Sequence, residues 1–257
     1  MPELSFGQYQ LVYNLFSLTI AAFFASFVFY VLVRNDISPK YRGSVIASAL
    51  VVFIAGYHYY RIFGSWEAAY QLNPATQTYQ PTGLPFNDGY RYVDWLLTVP
   101  LLLVELVLVL GLARKETSAL LFKLIIAAVF MIALGYPGEI DRTSSSVFSA
   151  RGLWGLLSTI PFVYILFVLL KEIKAAIARS KPEIGILLRN TGLLTLFTWG
   201  FYPVAFMAPF FGLSGATAEV FLQSGYSIAD IAAKAGYGLL IYNIARLRTE
   251  EDARLQT

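Results

Sequence analysis

Seven stretches of the chain are each long and apolar enough to cross a bilayer. They lie roughly at Leu11–Val33, Ser44–Phe63, Arg91–Leu112, Ser118–Tyr136, Arg151–Leu170, Ile186–Pro209 and Ala216–Ala245. About 20 mostly apolar residues suffice for a helix to span the hydrocarbon core. Backbone groups in lipid must be satisfied within the segment, so runs of this length are read as helices. The connections between them leave no room for a soluble domain. The expected fold is therefore all-α: a seven-transmembrane-helix bundle forming a single domain over residues 1–257. No internal repeat or low-complexity segment stands out.

Composition removes several function classes. The chain has no cysteine, so disulfides and thiol chemistry are out. A single histidine, His58, gives no basis for a His-based metal site. The net charge of +3 is too small to point to a nucleic-acid partner, and the expected surroundings are a lipid bilayer. The opening residues MPELSFGQ have no basic region before the first apolar run, so no signal peptide is expected and the first span can direct insertion itself.

The placement of the basic residues orients the bundle. Thirteen of the nineteen Lys and Arg fall on one side: Arg34, Lys40 and Arg42; Arg114 and Lys115; Lys171, Lys174, Arg179, Lys181 and Arg189; Arg246, Arg248 and Arg254. By the positive-inside rule this side faces the cytoplasm, and the N-terminus lies outside. The long connection from Ser65 to about Gly89 is then external. Its length and its turn residues suggest a short β-hairpin over the mouth of the bundle.

Six basic residues remain: Arg61, Arg91, Lys123, Arg142, Arg151 and Lys234. Most lie near span ends, where a long side chain can reach polar surroundings. Lys234 does not. It lies well inside the seventh span, in IADIAAKAGYG, one helical turn from Asp230 on the same face. A charge at the bilayer centre is costly, so an intramembrane ionisable residue is a functional-site candidate. A structural ion pair is one reading. The other is a lysine whose amine carries a covalent group, with Asp230 as counter-ion, since a desolvated lysine is a suitable nucleophile.

The third span adds two more buried acids. In RYVDWLLTVPLLLVEL, Asp94 and Glu105 are 11 residues apart, close to three full turns. They therefore share a face and lie about 16 Å apart along the axis. Thr98 sits one turn from Asp94. Pro100 removes a backbone donor and kinks the span. Two carboxyls on either side of a central protonatable amine form a path for protons.

These residues resemble a microbial (type I) rhodopsin over nearly the whole chain. The motifs are RYVDWLLTVP in the third span, WGFYPVAF (Trp199 to Phe206) in the sixth and DIAAKAGYG in the seventh. The resemblance implies all-trans retinal bound covalently to Lys234 as a protonated Schiff base. It makes Asp94 the primary counter-ion and proton acceptor, Asp230 the second counter-ion and Glu105 the proton donor from the cytoplasmic side. Arg91 would gate proton release, and Trp95, Trp199, Tyr202, Pro203 and Tyr226 would line the retinal. The triplet Asp94, Thr98, Glu105 matches outward proton pumps of the proteorhodopsin group. In that group the histidine equivalent to His58 hydrogen-bonds the acceptor, which implies a contact between His58 and Asp94. Leu102 falls where proteorhodopsins tune colour, with Leu going with green absorption.

A finer resemblance is to the xanthorhodopsin branch, which includes the Gloeobacter rhodopsin. It rests on Ser65–Tyr70, Tyr79–Gly83, Phe86–Trp95, Leu134–Glu139 and Arg151–Phe162. Gly155 falls where bacteriorhodopsin has a bulky Trp beside the retinal ring, and in xanthorhodopsins a carotenoid antenna lies across the opening. Close helix packing is the other use of a small residue there. Glu139 is expected to be a structural carboxyl, with a role in proton release as the alternative. The resemblance further implies a multi-pass protein of the bacterial inner membrane, a homo-oligomer (pentamer or trimer), and a light-driven ion transporter rather than an enzyme. The rival readings are a photosensory rhodopsin signalling to a partner, a seven-helix receptor without retinal, and an ion channel.

Overall fold

The computed structural model describes residues 1–87, 89–140 and 148–255. Arg142, one of the six basic residues set apart above, lies outside them. Six helices precede a compound seventh rod: α1 (Phe6–Val33), α2 (Pro39–Ala69), α3 (Gly89–Val109), α4 (Arg114–Ile140), α5 (Ala150–Ala178) and α6 (Pro182–Phe206). The rod is α7 (Gly215–Asp230), a π-helical segment Ile231–Gly236 and α8 (Tyr237–Arg254). Most of these helices outrun the apolar stretches by one or more turns, because polar residues extend a helix once it leaves lipid. Neighbours in sequence pack side by side, and α1 closes the ring against α7. The seventh rod also touches α2 and α3, so Lys234 faces the helix that carries the two acids.

The expected hairpin is present as β2 (Tyr70–Asn73) and β3 (Thr78–Pro81). A third strand was not expected. It is β1 (Leu4–Ser5), which pairs antiparallel with β3 in the register Leu4 to Tyr79 and Ser5 to Thr78. Ser5 then caps α1 in a reciprocal arrangement: its Oγ accepts from the Gln8 backbone N–H, and the Gln8 side chain accepts from the Ser5 N–H. Tyr9 stacks on Tyr79 with ring centroids 3.6 Å apart, and on Trp66 at 5.7 Å. Sheet and aromatic cluster cover one end of the bundle, termed the sheet end.

At the opposite end α3 stops short of the expected Leu112. Gly111 takes φ +74°, a left-handed conformation suited to glycine after a helix. The last carbonyls of α3 are met by arginines. Arg248 Nε donates to Val109 O at 2.9 Å, and Arg179 Nη2 donates to Leu110 O at 3.1 Å. Arg248, one of the thirteen Lys and Arg on that side of the bundle, is buried, and its guanidinium serves this helix terminus.

The π-helical segment has no counterpart in the sequence reading. Here the Tyr237 N–H donates to Ala232 O, five residues back, instead of four. The Tyr30 hydroxyl donates to Ala235 O at 2.6 Å. Gly238 makes room for it, since a Cβ there would lie 2.6 Å from the Tyr30 hydroxyl oxygen.

Candidate functional site

Four ionisable side chains are sealed inside the bundle: Asp94, Glu105, Asp230 and Lys234 are each 2% exposed or less. Lys234 Nζ donates to Asp94 Oδ2 at 2.7 Å and to Asp230 Oδ1 at 2.8 Å. A buried amine between two carboxylates is compensated on both sides, which is the condition for keeping charges in an apolar interior. The lone ion pair with Asp230 is thus replaced by a triad joining α3 to the seventh rod.

The two acids differ in their other partners. Asp230 accepts from the Tyr59 hydroxyl at 2.7 Å and from the Tyr202 hydroxyl at 2.5 Å. At Asp94, Thr98 Oγ1 donates to the backbone O at 2.9 Å and lies 3.5 Å from Oδ2. Asp94 Oδ1 has no hydrogen-bond partner among the described residues. His58 Nδ1 is 3.8 Å from that oxygen, and its hydrogen bond goes to Ile54 O at 3.0 Å. The contact across α2 and α3 therefore exists, but it is longer than a direct hydrogen bond.

Glu105 lies toward the opposite end on the same helix. Its Oε2 accepts from the Ser48 hydroxyl of α2, a partner the sequence did not single out. Arg91, one turn toward the sheet end from Asp94, was grouped with side chains reaching polar surroundings. It is buried instead: Nη2 donates to Gln223 Oε1 at 2.6 Å, and the guanidinium lies 4.8 Å from the Tyr226 ring centroid. Arg151 is buried as well. It donates to Gly138 O, Phe206 O and Glu139 Oε2, tying α4, α5 and α6 together and giving Glu139 its structural partner.

A cavity of about 530 Å³ reaches Lys234 and Asp230 from between the helices. Volumes of this order hold small-molecule ligands. Trp95, Trp199, Tyr202, Pro203 and Tyr226, the residues implied to line the retinal, border this cavity, and so do Leu102 and Gly155. Trp95 packs edge-on to Tyr202 at 5.2 Å, and Tyr202 stacks on Tyr226 at 5.9 Å, giving a rigid aromatic wall. The wall residues come from α3, α6 and α7. From α5 the sequence singled out Gly155; Met131 of α4 and Ser158 and Phe162 of α5 border the cavity too, and nothing in the sequence marks them off from ordinary span residues. An elongated apolar chromophore joined to the Lys234 nitrogen fits this donor set and this lining.

The notch left by Gly155 is not empty. A Cβ there would lie 2.6 Å from Phe206 Cε1, so the Phe206 ring fills the space beside the glycine. That ring is held by Arg151, whose guanidinium lies 4.1 Å from its centroid.

Residues 10–247 match a family described as bacteriorhodopsin-like protein. The green-light absorbing proteorhodopsin of gamma-proteobacterium EBAC31A08 is 31% identical over 234 residues, which are 90% of this chain and 84% of that protein. Among solved structures, xanthorhodopsin, described as a light-driven ion pump with dual chromophore, aligns with a TM-score of 0.93. The two chains are 57% identical over 98% of this one and 99% of that one. A thermophilic rhodopsin aligns with a TM-score of 0.91 at 52% identity, again over 98% and 99% of the two chains.

Proposed function

Since the chain belongs to the bacteriorhodopsin-like family, membrane proteins that act as light-driven ion pumps around retinal and not as enzymes, we propose that it moves protons outward, with Lys234 as the attachment point. The observation that carries this reading is the Lys234 amine, 2.7 Å from Asp94, with Glu105 on the same face of α3 toward the other end.

Retinal, when bound, supplies absorption of visible light and a change of shape on excitation. The protein's own groups handle the proton. Asp230 already accepts from two phenols and the amine, so its charge is well matched where it stands. Asp94 lies in direct contact with Lys234 Nζ at 2.7 Å and carries no phenol contacts like those on Asp230, which makes it the acid placed to take the proton from Lys234 Nζ. His58, 3.8 Å away, adjusts that acceptor. Glu105 then returns a proton to Lys234 Nζ from the opposite side, with Ser48 holding its carboxyl in place. For net transport the nitrogen must meet Asp94 and Glu105 in turn, which requires two conformations.

The orientation proposed puts the sheet end outside and the Lys40, Lys115 and Lys181 end in the cytoplasm, as the distribution of Lys and Arg supports. A carotenoid antenna is proposed at the cavity wall by Gly155. It is supported by the dual chromophore of the xanthorhodopsin relative and requires the Phe206 ring to turn aside. Cells supplied with retinal should acidify their medium in light, and a protonophore should abolish the signal. Asp94→Asn should eliminate it; a variant that still acidifies the medium would sink the acceptor assignment. For the antenna, absence of induced circular dichroism with an added hydroxylated carotenoid would remove the idea.

A further inference from the structure

We propose that Arg61, together with the hydroxyls of Tyr57 and Tyr90, binds the phosphate of an anionic phospholipid in the groove between α2 and α3 at the sheet end. The site lies outside the cavity and does not depend on the proton-pump reading. Arg61 Nη1 donates to the Tyr57 hydroxyl oxygen at 3.1 Å, and Nη2 donates to the Tyr90 hydroxyl oxygen at 2.8 Å. The guanidinium also lies 5.0 Å from the Tyr90 ring centroid. Tyr57 is one turn from Arg61 on α2, and Tyr90 lies at the start of α3, so the guanidinium is held across the seam of the two helices. Among the described residues no carboxylate pairs with Arg61. The next acid along α2, Glu67, lies within electrostatic reach of Tyr9 on α1.

Each phenol accepts from the guanidinium with its oxygen and keeps its own O–H as a donor. The guanidinium keeps further N–H groups beyond those spent on the phenols. The cluster therefore presents several donors and a full positive charge, the complement of a phosphodiester with its free anionic oxygens. Its depth fits a headgroup. Arg61 sits about two turns, roughly 12 Å, short of the end of α2 at Ala69, where β2 begins. Tyrosines gather at the membrane–water interface, and Tyr57 and Tyr60 are exposed beside Arg61. Deeper along the same groove, Phe53 of α2 and Val93 and Leu97 of α3 are exposed and form an apolar strip for acyl chains. A free phosphate ion would use the donors and leave the strip bare, so the ligand proposed is a lipid. Bound there, it bridges α2 and α3 beside His58 and Arg91, the sequence neighbours of Tyr57 and Tyr90.

The test uses the full chain in vesicles of phosphatidylcholine and phosphatidylglycerol, with native mass spectrometry of the protein released from them. The wild type should keep a phosphatidylglycerol adduct in preference to phosphatidylcholine. In Arg61→Gln that retention should fall by about tenfold or more, the scale of lost charge-assisted hydrogen bonds. Arg61→Lys should recover only part of it. The double variant Tyr57→Phe, Tyr90→Phe keeps the charge and loses both hydroxyls, and it too should bind less. Circular dichroism of each variant checks that the helices are intact. Inorganic phosphate should not compete; displacement by phosphate alone would make this a soluble-anion site and overturn the lipid assignment. Wild-type retention in Arg61→Gln or in the double phenol variant would reduce the effect to unspecific attraction and end the proposal. So would a loss of self-association in Arg61→Gln with lipid retention unchanged, which would assign the guanidinium to a second copy of the chain.

Discussion

Lys234 Nζ lies 2.7 Å from Asp94 Oδ2, a contact across 140 positions of sequence that joins the seventh rod to α3. Neither residue could stay buried as an isolated charge, because each would carry the full desolvation cost. The pair with Asp230 at its side is thus a requirement of the fold as well as the site of the proposed chemistry.

Glu105→Gln should slow the recovery phase of the light cycle by about a hundredfold, within the range of a lost proton donor. Added azide, a small external proton donor, should restore much of the rate. Ser48→Ala removes the hydroxyl that contacts Glu105 and should slow recovery less. Flash absorption at the recovery wavelength measures both; a Glu105→Gln variant with wild-type recovery would remove Glu105 from the path.

Replacing His58 with Gln should move the midpoint of the pH titration of the absorption maximum. The imidazole lies 3.8 Å from Asp94 Oδ1 and is the side chain type that changes charge near neutrality. An unchanged titration curve would mean that its hydrogen bond to Ile54 O is the whole of its role.

Gly238→Ala should destabilise the protein by about 1–3 kcal/mol, the usual cost of overpacking a closed interior. The new methyl would press on the Tyr30 hydroxyl, which is fixed to Ala235 O at 2.6 Å. Thermal denaturation in detergent reads the change, and pairing the variant with Tyr30→Phe should recover part of it. No loss of melting temperature would mean that α1 yields freely at this point.

The site's charged centre was legible because charges in lipid have few explanations. Lys234, Asp230, Asp94 and Glu105 announce themselves against apolar neighbours, and helical spacing gives their faces. The aromatic wall was legible only through motifs, since Trp95 and Tyr226 by themselves are ordinary packing residues. The π-helical segment left no trace because shifting one hydrogen bond from four residues to five changes no composition. Strand β1 is two residues long, too short for any periodicity. Arg91 and Arg151 misled by position: closeness to a span end suggested water, and the partners that hold them inside come from distant helices.

The two arginines at the far end of α3 bear on the electrical history of Glu105. A helix presents the negative pole of its dipole at its C-terminus. On α3 that pole lies just past Val109, about one turn beyond Glu105, and Arg248 and Arg179 both point at its carbonyls. A carboxylate formed at Glu105 after it yields its proton would otherwise sit beside a like-signed pole in a poorly screened interior. The two cations act as electrical ballast: they cancel that pole in advance, so the donor can be emptied and refilled without the helix end opposing it.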